Sequence, residues 1–268
     1  GNMKEGITFS DTVAGLSDIL TLLITGNIFP VLIGGSSATV IAIDRCFSAI
    51  KHRYTLATVD SRIDYNNERK EIDSFNYLNT ILHKNTIDHF INIGYQTFLN
   101  DQQVINRFLK RKDELVRVVE ARLGLHLTEP LFRDSDAAVF DISAVRQSDA
   151  PATVYPSPNG FYGEEICLLA RYAGISDKLK VFGLFEVNPE LDIRNQTSGL
   201  AAQILWFFLE GFTQKQYESP DLSLSKSGQF IKYHVRVKDI NDDLIFVKSS
   251  LTDRWWIELP GEDKENQY

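Results

Sequence analysis

Six strand-like runs alternate with segments of helical periodicity along the first four-fifths of the chain, and most of these runs are apolar at every position rather than at every second one. A strand that is apolar on both faces has to be covered on both, and alternation with helices supplies the cover. This pattern calls for a mostly parallel sheet between two helical layers, an α/β fold of the three-layer, doubly wound kind. The runs are Phe29 to Ile33, Tyr54 to Val59, Ile87 to Ile93, Glu114 to Val119, Ala137 to Phe140 and Leu179 to Val187.

Between them lie the helices. Ser10 to Gly26 opens with a capping residue, Ser10, keeps Val13, Leu16, Ile19, Leu20 and Leu23 at helical spacing and stops at Gly26. Ala38 to Ile50, Phe75 to His83, Gln102 to Lys112, Phe161 to Ala173 and Gln196 to Gly211 follow. After Phe212 the pattern changes: Ser219 to Gly228 is rich in proline, serine and glycine and reads as a linker. Phe230 to Val237 and Leu244 to Val247 flank KDINDD as a hairpin, and Arg254 to Leu259 adds a third strand. Glu262 to Tyr268 is a polar tail. The division is therefore an α/β domain over 3–218 and a β-rich extension over 219–268; Gly1 and Asn2, ahead of Met3, look like an expression scar and are left out.

Composition narrows the functional classes. A chain of 268 residues that is 43% hydrophobic has ample material for a core. It has no apolar run long enough to cross a bilayer and no apolar leader, so no membrane partner and a cytoplasmic location are expected. A net charge of −8 argues against nucleic acid, which needs a basic face. Cys46 and Cys167 read as buried reduced thiols. The histidines, at 52, 83, 89, 126 and 234, show no ligand spacing among themselves. In RWWIEL, Trp255 and Trp256 point to opposite faces of a strand, so one ring is expected against the core and the other against a loop or a partner.

The chemistry sits where strands end. Asp60 and Asp64 bracket Arg62 in VDSRID, Gly34 to Ser37 reads GGSS, and Asp141 begins the polar loop of VFDISAVRQSDAPATVYPSPNGFYGEE, Val139 to Glu165. Glu186 lies in FEVNPELD, Phe185 to Asp192. Open α/β sheets build their ligand sites from such loops. Taken singly, an aspartate after a strand is more often a turn or helix cap.

Taken in order, these four stretches resemble the ureohydrolases, the family of arginase, agmatinase and formimidoylglutamase, over roughly Phe29 to Phe212. The resemblance implies an arginase-like fold and a site with two manganese ions bridged by hydroxide, held by four carboxylates and two histidines. Asp60, Asp64 and Asp141 match metal-binding aspartates. Ser37 and Arg62 stand where the family has histidine ligands, and Ser143 and Arg146 where it has further aspartates. Glu186 matches the residue that grips the amidino group of substrates, with Asn188 beside it.

Arginine cannot coordinate a metal, because it stays protonated. The expectation is therefore a degraded metal site, with a cluster of Arg62, assisted by Arg146, and the aspartates in place of the ions. On this reading there is no cofactor and no catalysis, and the protein serves in binding or assembly. A small guanidino or amidino ligand is the expected partner, held by Glu186, Asp141 and the loop Ser148 to Gly160. The alternative is a hydrolase of guanidino or formimino compounds, with manganese or magnesium on Asp60, Asp64 and Asp141. The family also has a strand and helix ahead of its GG turn where this chain has only the Ser10 helix. Either the sequence is a piece of a longer protein or part of one sheet half has been lost, and an exposed sheet edge would then need cover from the C-terminal hairpin or another copy of the chain.

Overall fold

The computed structural model describes residues 1–218, 220, 229–236 and 243–258, and the chain divides into two compact units, Gly1–Lys215 and Gln216–Tyr268. The first unit runs α1 (Phe9–Thr25), β1 (Val31–Ile33), α2 (Val40–Ala49), β2 (Tyr54–Val59), α3 (Tyr77–Leu82), β3 (Ile87–Tyr95), α4 (Gln102–Lys110), β4 (Glu114–Arg117), α5 (Val118–Leu123), α6 (Glu129–Arg133), β5 (Ala137–Asp141), α7 (Gly163–Gly174), β6 (Val181–Phe185) and α8 (Gln196–Thr213). Its sheet has the order β1-β6-β5-β2-β3-β4, and every neighbouring pair is parallel.

Both faces of that sheet are buried, as the unbroken apolar strands require. Along β5, Ala137 and Val139 join a core with residues of α1 to α4, including Leu20, Phe47, Leu78 and Phe108. Ala138 and Phe140 face the opposite core, built from α5 to α8 with Phe132, Leu169, Ile204 and Phe208. Helices α7 and α8 approach very closely: a methyl group on Gly174 would meet Phe208 O at 2.2 Å, and one on Gly211 would meet Arg171 O at 2.3 Å. Only glycine fits at those two crossings.

Several local expectations are corrected. The cap of α1 is Thr8, not Ser10: Thr8 Oγ1 accepts the Asp11 N–H at 3.2 Å and the Asp11 carboxylate accepts the Thr8 N–H at 3.0 Å, so Ser10 falls inside the first turn. The expected strand Glu114 to Val119 stops at Arg117, where α5 begins with a Glu120 side chain accepting the Arg117 N–H at 3.2 Å. Helices α5 and α6 were not anticipated, being five or six residues long and too short to show a period. Cys46 and Cys167 are buried free thiols, as expected.

In the second unit, β7 (Phe230–Val235), β8 (Leu244–Ser249) and β9 (Trp255–Glu258) form an antiparallel sheet in that order, which confirms the hairpin and its third strand. Trp256 packs edge-on to Phe230 at 5.9 Å and Trp255 lies by Tyr233 at 5.2 Å, one ring on each face. The expected linker, apart from Pro220, the KDINDD turn, apart from Asp243, and the polar tail lie outside the described residues.

Candidate functional site

β2 lies between β3 and β5. From β2 the chain turns to α3, which packs on one face with Leu56 and Val139; from β5 it leads to α7, which packs on the other face with Ala57 and Phe140. The two connections leave in opposite directions and open a crevice at the carboxyl ends of adjacent strands, where doubly wound sheets bind ligands. Val59 pairs with Phe140, so Asp60 and Asp141, the next residue on each chain, emerge side by side at that crevice.

The loops are fixed by their own side chains. Asp60 accepts the Arg62 N–H at 2.8 Å, and Asp141 accepts the Ser143 N–H at 2.7 Å. Ile63 N–H donates to the Asn100 amide oxygen at 2.6 Å, while Asn92 Nδ2 donates to Arg62 O at 2.8 Å. On the neighbouring strand end, Glu186 has φ 63°, a left-handed conformation that a non-glycine residue adopts at a cost. Its N–H donates to Gly35 O at 3.0 Å, and its carboxylate accepts the Ser37 N–H at 2.7 Å and the Ser37 hydroxyl at 3.3 Å. The GGSS turn is thus tied to β6, and Gly34 and Gly35, at φ 86° and 79°, supply the turn conformation.

Asp60, Asp64, Asp141, Ser143 and Glu186 line one small cavity of about 10 Å3, room for roughly one water molecule. Arg62, Ser74, Phe75, Thr153 and Tyr155 complete its wall, and Phe75 meets Tyr155 edge-on at 4.7 Å. The three aspartates are buried, at 3 to 6% exposure. Burial pushes the Asp60 carboxyl up to about 6, against the opposing pull of the Arg62 N–H and a hydrogen bond with Asp64. Burial, and then the charges of Asp60 and Asp141, hold Asp64 well above the carboxylate range; Asp141 is raised by burial and by Asp60 and Glu186. Buried Tyr77 lies near enough that the same aspartates raise its hydroxyl as well. The carboxylates feel one another's charge, yet among the described residues no group of three or more His, Cys, Asp or Glu is arranged to hold a metal ion.

Arg62 lines the same cavity but forms no ion pair with the aspartates. Its N–H serves Asp60, but its guanidinium points away, donating to Leu99 O at 3.5 Å and lying 5.1 Å from the centre of the Phe75 ring. Arg146 is also elsewhere: it pairs with Asp149 at 2.9 Å and covers the Tyr162 ring at 3.9 Å. The expected arginine–aspartate cluster is thus not tied by ion pairs: Arg62 stands in the cavity wall and its charge lowers Asp60, while Asn92 and Asn100 hold the backbone around it. Asn188, expected beside Glu186 as a ligand contact, caps its own turn by accepting the Glu190 N–H at 3.0 Å. Ser37 is spent on Glu186.

Thr153 and Tyr155 belong to the loop Ser148 to Gly160 that was expected at the ligand, whereas Ser74 was missed and Phe75, expected as the first residue of a helix, precedes the helix and lines the cavity instead. Sequence reasoning also missed a second, larger cavity that shares Arg62, Asp64, Phe75 and Tyr155 with the first.

The sequence matches the Arginase family over residues 6–210. The chain belongs to the arginase family. This arginase-family chain is 30% identical over 108 residues to the formimidoylglutamase of Staphylococcus haemolyticus, a match covering 37% of this chain and 35% of that one. The match to the Bacillus subtilis formimidoylglutamase covers 41% of that protein, so the aligned parts span less than half of the curated relatives. Its fold is similar to the crystal structure of that Bacillus subtilis protein, with a TM-score of 0.72 at 20% identity over 80% of this chain and 71% of the other. It is also similar to Trypanosoma cruzi formiminoglutamase solved with Mn2+, with a TM-score of 0.73 at 18% identity over 79% and 74%. No helix among the described residues is long and apolar enough to cross a membrane.

Proposed function

We propose that this arginase-family chain does not hydrolyse amidines at a two-manganese centre and instead binds a small guanidino or amidino ligand over its carboxylate floor. The observation that carries this reading is that Asp60, Asp64, Asp141 and Glu186 line one cavity while neither Arg62 nor Arg146 pairs with any of them.

A two-manganese centre of the family's kind takes four carboxylates and two imidazoles, and the donors here do not fit it. No imidazole lines the cavity. Of the six matching positions, Ser37 is neutral and held by Glu186, Ser143 is neutral beside Asp141, and Arg62 is a cation that faces away. Asp60 and Asp141 each have one carboxylate oxygen committed to an N–H. The remaining negative charge suits a planar cation with several N–H donors, which can satisfy more than one carboxylate at once. With room for only about one water, the cavity admits such a group when Phe75 and Tyr155 part.

A second reading is favoured by the outward position of Arg62. With no side-chain cation paired to them, Asp60, Asp64 and Asp141 form an all-oxygen set suited to a single magnesium or manganese ion, which could support hydrolysis of a guanidino or formimino compound. Incubation with arginine, agmatine and formiminoglutamate, each with and without manganese, separates the two readings. The first expects no urea, ammonia or formamide under any condition, together with calorimetric binding of guanidinium that is lost in Asp141→Asn. Manganese-dependent product release overturns it.

A further inference from the structure

The amino ends of the strands, away from the carboxylate floor, hold a lysine set apart from the other described ones. Phe29 stands two residues ahead of β1 and Leu179 two ahead of β6, and the chain leaving α8 brings Lys215 against both. Its Nζ lies 4.5 Å from the centre of the Phe212 ring and 5.3 Å from that of Phe29. Phe29 packs in turn on Phe208 at 5.7 Å and on Phe212 at 4.8 Å, so the rings that receive the amine are anchored in the core.

A positive charge is poorly served in that seat. Nζ donates to Leu179 O at 3.5 Å, the far limit of a hydrogen bond, and forms no ion pair with any carboxylate among the described residues. Lys84, Lys178 and Lys180, by contrast, pair with Asp44, Asp134 and Asp136, and Lys70, Lys110 and Lys112 are exposed to water. The rings attract the cation across their faces but accept its three N–H groups less well than water does. Burial prevails and lowers the Lys215 amine from 10.5 to about 8, against the opposing charge of Asp177 on the loop before β6.

A neutral group with a single donor suits the same seat better. An N-acylated lysine keeps one N–H, matching the one acceptor present, Leu179 O, and lays an amide with an apolar end between the rings without burying a charge. Lys215 is half-buried rather than enclosed, so an acyl donor reaches its amine.

We propose that Lys215 is a site of covalent acylation by a small activated acyl compound, an acyl phosphate or an acyl thioester. The neutral Nζ attacks the carbonyl carbon and forms the N–C bond, while the bond from that carbon to phosphate oxygen or to sulfur breaks. Phosphate or thiolate leaves with the electron pair, and Nζ gives one proton to water. The seat shares no residue with the carboxylate floor, so it stands whether or not the reading above does.

The test incubates the whole chain at pH 7.5 with acetyl phosphate in one arm and acetyl-coenzyme A in the other, and follows acetyl-lysine site by site through peptide mass spectrometry. Lys215 should be acetylated at least ~10-fold faster than Lys70, Lys110 and Lys112 in one arm or both, because a larger share of its amine is unprotonated at that pH. The arm that reacts assigns the donor. In urea, where the two rings no longer hold the amine, the preference should vanish. The proposal is overturned if Lys215 reacts no faster than the exposed lysines in either arm, or if its preference survives in urea.

Discussion

Asp60 shows how little a strand-end aspartate reveals until its surroundings are known. Its backbone position follows from the apolar run before it, and that much was readable. Its charge state follows from burial, opposed by the Arg62 N–H, a hydrogen bond with Asp64 and the Arg62 charge, a setting that only the fold assembles. Because its folded value, about 6, lies above the ordinary 3.8, the folded protein holds this proton more tightly than the unfolded chain. The contribution of Asp60 to stability is therefore greatest below 3.8, falls as pH rises between those values and stays lowered above 6. Asp60→Asn removes that fall while keeping an oxygen for the Arg62 N–H. In chelator-containing buffer, calorimetry should find the variant melting about 5 °C above the original chain at pH 8, with the gap closing at pH 4. An equal gap at both values would mean the carboxylate carries no burial penalty. The direction of Arg62 was not legible at this scale. The backbone that carries it is held by Asn92, 30 positions from Arg62, and by Asn100, 37 positions from Ile63, and neither asparagine carries a pattern of its own. The same holds for Asn188, whose family match suggested a ligand contact and whose side chain closes a turn.

Elements were more legible than residues, for a reason visible in β5 and β6. A strand buried on both faces is apolar throughout, and such a run cannot be mistaken for a loop. Shorter pieces escaped. Helices α5 and α6 have too few turns to show a period, and in ELVRVV, Glu114 to Val119, the β-branched Val118 and Val119 read as strand but start a helix. The close crossing of α7 and α8 was also hidden, since glycines in a helical stretch read only as weak points. The structure gives them a role. Gly211→Ala places a methyl group 2.3 Å from Arg171 O, so the helices must separate, and urea titration should show a loss of about 1–3 kcal/mol. Gly199→Ala, in the same helix with nothing within 4 Å, should not destabilise.

At the scale of the molecule, the parallel sheet brings Asp60 and Asp141 together through one pairing, Val59 with Phe140, and Asp141 to the base of Glu186 through another, Asp141 with Phe185. The convergence of the matching positions on one crevice was expected from their order in the chain, and the larger cavity was not, because its walls come from loops and from the exposed side of α4. The scaffold also makes the metal question reversible in principle. Ser37→His, Arg62→His and Ser143→Asp combined should raise manganese affinity at least tenfold over the original chain in equilibrium dialysis. No gain would mean that the loops no longer hold the spacing a two-ion centre needs. The most direct measurement is the manganese content of the unaltered chain after soaking in excess Mn2+ and passage through a desalting column. A content well below one ion per chain is expected; two firmly held ions per chain would contradict the loss of the dimetal centre.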